Sequence, residues 1–427
     1  MDQFLLLPAA LFPVDAPPLF DEPALVHSGG KILAVGPAAK LRPQFSNGSE
    51  IRLPNTALLP GLINAHCHLE LTHLRNQFPP SHFVDWVKSL LQSNQALTDK
   101  DQVAANSVCA GVEESLRSGV TTVGDITKHV ASSRAVLGQG PIRAVSFGEI
   151  TAIGARRAGL ADQLALCADS AAASSTMTLG LSPHAPYTVE GPALRQIIQY
   201  AQARKLPLTM HLSELAEEAE FLETLHGRLR EAWDLGGTAH LILDDQIPRF
   251  AGGPIRWAQH YGVLDAANHV PVVLAHVNYC DDSELQLLAA SKASVVYCPR
   301  TRNYFGHDER SSHRYRSMLA AGINVCLGTD SLASNPDLHL LREAQFLLRK
   351  DSVDAEVLLR MMTLNAAAAL GVQGQLGSLT PHKSADMIAL PYPPTSAPDR
   401  ILTQLIEDAP LPSAVWIAGK AVIPKGR

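Results

Sequence analysis

The rhythm of apolar positions changes twice along the chain. Residues 4–58 carry short apolar runs of strand type, FLLL, PALVHSGGKILAVGP and EIRLP, with Gly29-Gly30 placed as a two-residue hairpin turn. No helical period runs through them. From about residue 57 each apolar run is followed by a longer amphipathic stretch. The runs are ALLPGLIN (57–64), GVTTVGDI (119–126), IRAVSFGEI (142–150), MTLGLS (177–182), LPLTMHL (206–212), VPVVLAHV (270–277), ASVVYCP (293–299) and INVCLGTD (323–330). Segments between them, such as ANSVCAGVEESLRS and GPALRQIIQYAQAR, have helical spacing. Strands alternating with helices predict a parallel α/β protein, and eight strands close a (β/α)8 TIM barrel. After about residue 380 short strands return in SADMIAL and AVWIAGKAVI, again without helical period. Neither β-rich end is large enough to stand alone. They are expected to join as one small β-sandwich, 1–58 with 381–427, beside a barrel over 59–380.

Charge and composition narrow the function. The 427-residue chain has a net charge of −6 and no Lys/Arg stripe, which argues against nucleic acid or an anionic membrane as partner. Its apolar runs are shorter than a membrane span needs. The opening MDQFLLLPAALFPVD lacks a basic leader, carries Asp2 and Pro8, and reads as a strand rather than a signal peptide. Cys67, Cys109, Cys167, Cys280, Cys298 and Cys326 show no CxxC spacing. They fit reduced, mostly buried thiols in a cytoplasmic protein.

Position decides which of the 17 histidines matter. A barrel carries its chemistry at the C-terminal ends of its strands. There the first strand presents His66 and His68, two apart and therefore on one side of an extended chain. The fifth ends in His211 with Glu214 three residues on, the sixth in His276 and the eighth in Asp330. One HxH alone is weak. Five such groups at one barrel mouth suit a divalent ion, and three imidazoles with a carboxylate match Zn²⁺, with Fe²⁺ as a substitute. Spacing alone leaves His276 as a further ligand. Cys67, between two of these histidines, is expected to point away.

The segments LPGLINAHCHLE, SPHAPYT, MHLSE, LAHV, VVYCPRT, LGTDS, NAAAALG and GSLTPHKSADMIAL resemble, in order and spacing, the deaminase and chlorohydrolase branch of the amidohydrolase superfamily. The resemblance covers nearly the whole chain. It implies a distorted (β/α)8 barrel, one metal held by His66, His68, His211 and Asp330, and catalytic roles for Glu214, His276 and Asp330. No lysine ends the fourth strand to bridge a second metal. The implied reaction is hydrolytic deamination of an aminopurine nucleoside-like substrate by metal-activated water, in an enzyme that is habitually a homodimer. HCHLELTHL and CPRTRNYFGH look like enzymes that deaminate aminodeoxyfutalosine, with adenosylhomocysteine and methylthioadenosine deaminases as relatives. Tyr297 departs from the pattern, standing where many relatives place a histidine.

Other positions have two readings each. Glu70 contacts a substrate hydroxyl or caps the helix after it. His184 binds substrate, or is a satisfied core histidine. Glu149 reaches the pocket or pairs with Arg143. Trp86 and Phe83, three apart on a helix, pack in the core or stack on a base. Arg300, Arg302 and Tyr304 shape specificity, or the arginines are merely solvated. His73, His226, His240, His260, His269 and His313 have no constellation around them, and 226–260 is the expected flap. Competing functions are hydrolysis of another C–N or C–Cl bond (guanine, cyclic amide or chlorotriazine) and an inactive barrel acting as a binding protein. The intact set of ligand and catalytic residues speaks against the last.

Overall fold

The computed structural model describes residues 2–235 and 245–423. Four strands open the chain: β1 (Gln3–Leu11), β2 (Pro23–Ser28), β3 (Lys31–Pro37) and β4 (Ser49–Pro60). The apolar N-terminal patch is strand β1. Gly29 and Gly30 turn β2 into β3 with φ of 56° and 80°, the left-handed pair that a tight hairpin requires.

The barrel strands follow, all parallel: β5 (Leu62–Cys67), β6 (Val120–Thr127), β7 (Arg143–Ile150), β8 (Met177–Pro183), β9 (Leu208–Leu212), β10 (Val272–His276), β11 (Ser294–Tyr297) and β12 (Val325–Leu327). Each expected run holds a strand, with one correction. The run 57–64 is two strands, because the chain changes sheets at Gly61. Its N–H reaches the Asp386 carbonyl at 2.9 Å, whereas the next, Leu62, donates to Gly119 at 3.0 Å.

Strands β13 (Met387–Pro391), β14 (Ala414–Ile417) and β15 (Lys420–Ile423) complete a seven-stranded mixed sheet with the first four, in the order β15-β14-β13-β4-β1-β2-β3. The C-terminal part also holds a helix, Ile401–Asp408, where no helical period was expected. Its buried Ile401, Leu402, Leu405 and Ile406 follow a period of four. That stripe packs on the helix Leu340–Asp351.

First and last barrel strands close on each other through the Asn64 side chain and a backbone bond just beyond β12. Asn64 donates to Thr329 Oγ1 at 2.7 Å and accepts from the Thr329 N–H at 3.1 Å, while Asp330 N–H reaches the His66 carbonyl at 3.0 Å. Gly328 permits the approach: a Cβ there would stand 2.8 Å from the His66 carbonyl oxygen. Ile63, Ala65, Val145, Phe147, Val273, Ala275, Val296 and Cys326 fill the interior, joined by Ala366, Ala367 and Leu370. Residues of the opposite parity, such as Leu62, Leu208, Met210, Val272, Leu274, Val325 and Leu327, pack outward under the helices. None of the described helices is long and apolar enough to cross a membrane.

Candidate active site

Strict alternation along β5 would not produce this site. Ile63 and Ala65 face the interior, so the next inward position would be Cys67. The pairing of β5 with β6 shifts register between Asn64 and Cys67, and such an irregularity re-aims the side chains beyond it. Cys67 joins the outer layer, its Sγ 3.7 Å from the Gly124 carbonyl. His66 and His68 take the mouth, and Cys67 points away as expected. On β9 no correction is needed: Leu208, Met210 and Leu212 pack outward, and His211 faces in.

The five predicted groups meet. His66 Nε2 and His68 Nε2 each lie 3.6 Å from Asp330 Oδ1, and His68 Nε2 is 3.2 Å from His211 Nε2. The rings of His211 and His276 stand 5.0 and 5.3 Å from that of His66. Ligand-type atoms of His66, His68 and Asp330, and of His66, His211 and His276, gather closely enough to hold one ion. His66 is wholly buried, yet neither of its ring nitrogens has a hydrogen-bond partner, and His276 Nε2 is likewise unpartnered. Buried polar atoms are rarely left so, and a cation is what neutral imidazoles without donors around them would take. Burial keeps these rings neutral, pushing His68 down to about 3 and His66 and His276 well below their ordinary value.

Neighbours aim these groups. His211 Nδ1 donates to the His184 carbonyl at 3.0 Å, which leaves Nε2 as the lone pair toward the cluster. Ser334 Oγ donates to Asp330 Oδ2 at 3.1 Å, leaving Oδ1 for the histidines. Glu214 Oε1 stands 3.6 Å from His276 Nε2. Burial first, and then the charges of Asp330 and Glu218, push the Glu214 carboxyl well above its usual range.

The cavity over this cluster is lined by His68, Glu70, Phe83, Trp86, Lys128, Glu149, Arg156, His184, Tyr187, His211, Glu214, Trp233, His276 and Asp330, among others. His184 reaches it with Nδ1 on Thr188 Oγ1 at 2.8 Å. Glu70 lines it too but does not cap its own helix; its carboxylate accepts from Thr127 Oγ1 and from the N–H groups of Lys128 and His129. Glu149 pairs with Lys128 at 3.0 Å, not with Arg143, whose guanidinium is taken by Asp386 at 2.7 Å. Trp86 is both core and wall, its indole N–H bonded to the Ala333 carbonyl at 2.8 Å.

Arg300 is a correction. It is absent from the cavity wall, because Glu343 and Asp337 hold its guanidinium at 2.6 and 2.8 Å. Glu343 also accepts from Asn335, which donates to the Thr329 carbonyl, so Arg300 braces the loop after β12. Arg302 is not solvated: it is 1% exposed and donates to Asp308 and to the carbonyls of Asn278, His307 and Ser311. Tyr304 bonds the carbonyls of Phe78 and Pro79. Tyr297 is buried and stacks on His313 instead of meeting the cavity. Of the flap expected at 226–260, residues 236–244 lie outside the described residues; Leu229, Ala232 and Trp233 form cavity wall.

Sequence reasoning passed over Lys128, Arg156, Tyr187, Ser334 and Asn278. Lys128 carried a usable signal, since it follows the second barrel strand directly at the mouth. Asn278, whose amide donates to the Glu214 carbonyl at 3.1 Å, carried none.

A family model described as the amidohydrolase family matches residues 57–422; the chain is an enzyme of the amidohydrolase family. A 5-methylthioadenosine/S-adenosylhomocysteine deaminase of Saccharophagus degradans is 26% identical over 95% of this chain and 87% of its own. Among solved structures, a zinc-bound adenosine deaminase from Xanthomonas campestris superposes with a TM-score of 0.79 at 25% identity, covering 98% of this chain and 92% of that one. Helicobacter pylori aminofutalosine deaminase gives a TM-score of 0.84 at 22% identity, over 99% of this chain and all of that chain. At that identity the likeness speaks for the fold alone.

Proposed function

We propose that this enzyme removes an amino group, as ammonia, from an aminopurine nucleoside-like substrate, with aminodeoxyfutalosine or another adenosine derivative as the best fit. The observation that carries the reading is the meeting of buried imidazoles, some with unpartnered ring nitrogens, and one carboxylate beside the buried Glu214. His66, His68, His211 and Asp330 would hold one divalent ion, zinc before iron. Bound there, the ion supplies Lewis acidity that lowers the pKa of water from about 15.7 toward about 7.

The chain's own groups move the protons. Asp330 and the neutral His276 orient the attacking water and accept its proton. Glu214 donates its proton to the ring nitrogen beside the carbon under attack, takes up the proton that Asp330 received from the water and delivers it to the departing amine, and regains one from the attacking hydroxyl as the C–N bond breaks and the carbonyl forms. His184, Glu70, Glu149 and Trp86 would bind the substrate from the cavity wall. The named activities of the relatives support a nucleoside; the 5-methylthioadenosine and adenosine enzymes both act on an aminopurine.

Metal analysis of the purified protein, coupled to ammonia release from a panel, tests this. The panel holds adenosine, methylthioadenosine, aminodeoxyfutalosine, adenine, guanine and a chlorotriazine. One zinc or iron per chain with nucleoside turnover is expected. Turnover confined to guanine or to the triazine would replace the substrate class, and a metal-free, inert protein would end the reading.

A further inference from the structure

The backbone at His276 breaks the alternation of β10. Val273 and Ala275 face the barrel interior, and Val272 and Leu274 face out. An unbroken strand would turn His276 out beneath the helices and Val277 in. The structure does the reverse: His276 lines the cavity and Val277 packs in the outer layer. The inversion is achieved by two consecutive non-glycine residues in the left-handed region, His276 at φ 71° and Val277 at φ 47°. Neither side chain favours that conformation, and a β-branched valine least of all. Something outside the strand must hold it.

Three bonds fasten the far side. Val277 N–H reaches the Leu212 carbonyl at 3.0 Å, Asn278 N–H reaches Ser213 at 2.8 Å, and the Asn278 amide reaches Glu214. The His276 carbonyl itself is met by His313, whose Nε2 lies 2.8 Å away. The tautomer follows from the other ring nitrogen. Tyr315 N–H donates to His313 Nδ1 at 3.0 Å, so in a neutral imidazole the proton sits on Nε2. Tyr297 fixes the plane of that ring, stacked at 3.9 Å and 11°. The tyrosine that departs from the common pattern thus serves as a shelf for His313.

We infer that His313, oriented by Tyr297 and the Tyr315 amide, is a positioning residue: its Nε2–H holds the turned carbonyl of His276 and so keeps the His276 imidazole in the active site. It makes no contact of its own with substrate. The inference rests on the catalytic role given to His276 above, but its geometry can be read without any substrate.

His313→Phe keeps a flat ring for Tyr297 and removes the donor; His313→Gln restores an N–H near the same place. With the best substrate of the panel, H313F should lose roughly 10- to 100-fold in kcat, with KM and metal content unchanged. H313Q should recover most of the loss, a rescue that a purely structural histidine would not show. Wild-type turnover by H313F, or H313Q as poor as H313F, would overturn the inference. Two readouts stand apart from activity. A crystal structure of H313F should show His276 out of the left-handed region, and an unmoved φ at His276 and Val277 counts against the idea. In ¹⁵N-histidine-labelled wild-type protein, His313 should carry a slowly exchanging proton on Nε2; a proton on Nδ1 instead would sink it, whatever the enzyme acts on.

Discussion

Glu214 and Asp330 belong to one cluster, Glu214 3.6 Å from His276 and Asp330 3.6 Å from His66 and His68, and are asked to do different things. Asp330 has Ser334 on one oxygen and two histidines facing the other, the setting of a group that shares an ion with those rings. Glu214 is buried with Asp330 and Glu218 near it, which pushes its carboxyl well above the usual range and suits a proton donor. Glu214→Gln should therefore cut turnover by roughly 10²–10⁴-fold while the metal content, read by mass spectrometry, stays as in the wild type. Asp330→Ala should lose both. If E214Q came off the column without metal, the two roles would have been assigned the wrong way round. At this scale the sequence was informative: HxH spacing and strand-end positions named His66, His68, His211, Glu214, His276 and Asp330 before any coordinates. It could not name the partners that aim them, since Ser334 and Asn278 look like any loop residues.

Strand and helix periods are short-range signals, and they located the barrel strands within a few residues. What the period could not show is where it breaks. The register shift in β5 and the left-handed turn at the end of β10 each invert which side chain faces inward. Counted by twos from the interior residues Ile63 and Ala65, Cys67 would enter the site, and from Val273 and Ala275, His276 would be left outside it. The close approach of β12 to β5 is a third such feature. Gly328→Ala would drive a Cβ to within 2.8 Å of the His66 carbonyl and 2.9 Å of its Cβ. Relief requires the strands to part, so G328A should lose about 1–3 kcal/mol of stability, seen as a lower Tm, and bind metal more weakly. A G328A protein as stable and as metal-rich as wild type would show that the seam is looser than drawn. The helix Ile401–Asp408 was missed for a plainer reason: ILTQLIED is only two turns long and sits between strand signals.

For the molecule as a whole, buried histidines set the response to acid. Burial holds His307 and His339 down to about 4 and His313 down to about 3, against an ordinary 6.5. Folded, these rings stay neutral as pH falls below 6.5; unfolded, they take up protons. Unfolding therefore gains protons, and stability drops between about pH 6.5 and 4, by up to about 1.4 kcal/mol per pH unit for each ring. The contribution is whole above 6.5 and exhausted below the folded values. Buried carboxyls work the other way in this window, Asp125 raised to about 8 and Glu218 to about 7, so a ring is read by difference: a His339→Gln protein should lose less Tm from pH 7 to 5 than the wild type. An equal loss in both proteins would mean that His339 is not held neutral.

Fold class, the eight-strand count and the gathering of His66, His68, His211, His276 and Asp330 at one mouth were legible in the chain because each follows from strand signals between neighbours a few residues apart. Periodicity marks the strands, and a barrel brings every strand end to one mouth. The partner of Glu149, the burial of Arg300 and Arg302, the inward turn of His276 and the task of His313 were not legible. Each is fixed by a contact between residues remote along the chain, as with the bond from Asn64 to Thr329, 265 residues on. Such contacts leave no periodic trace, and they exist only once the barrel has closed.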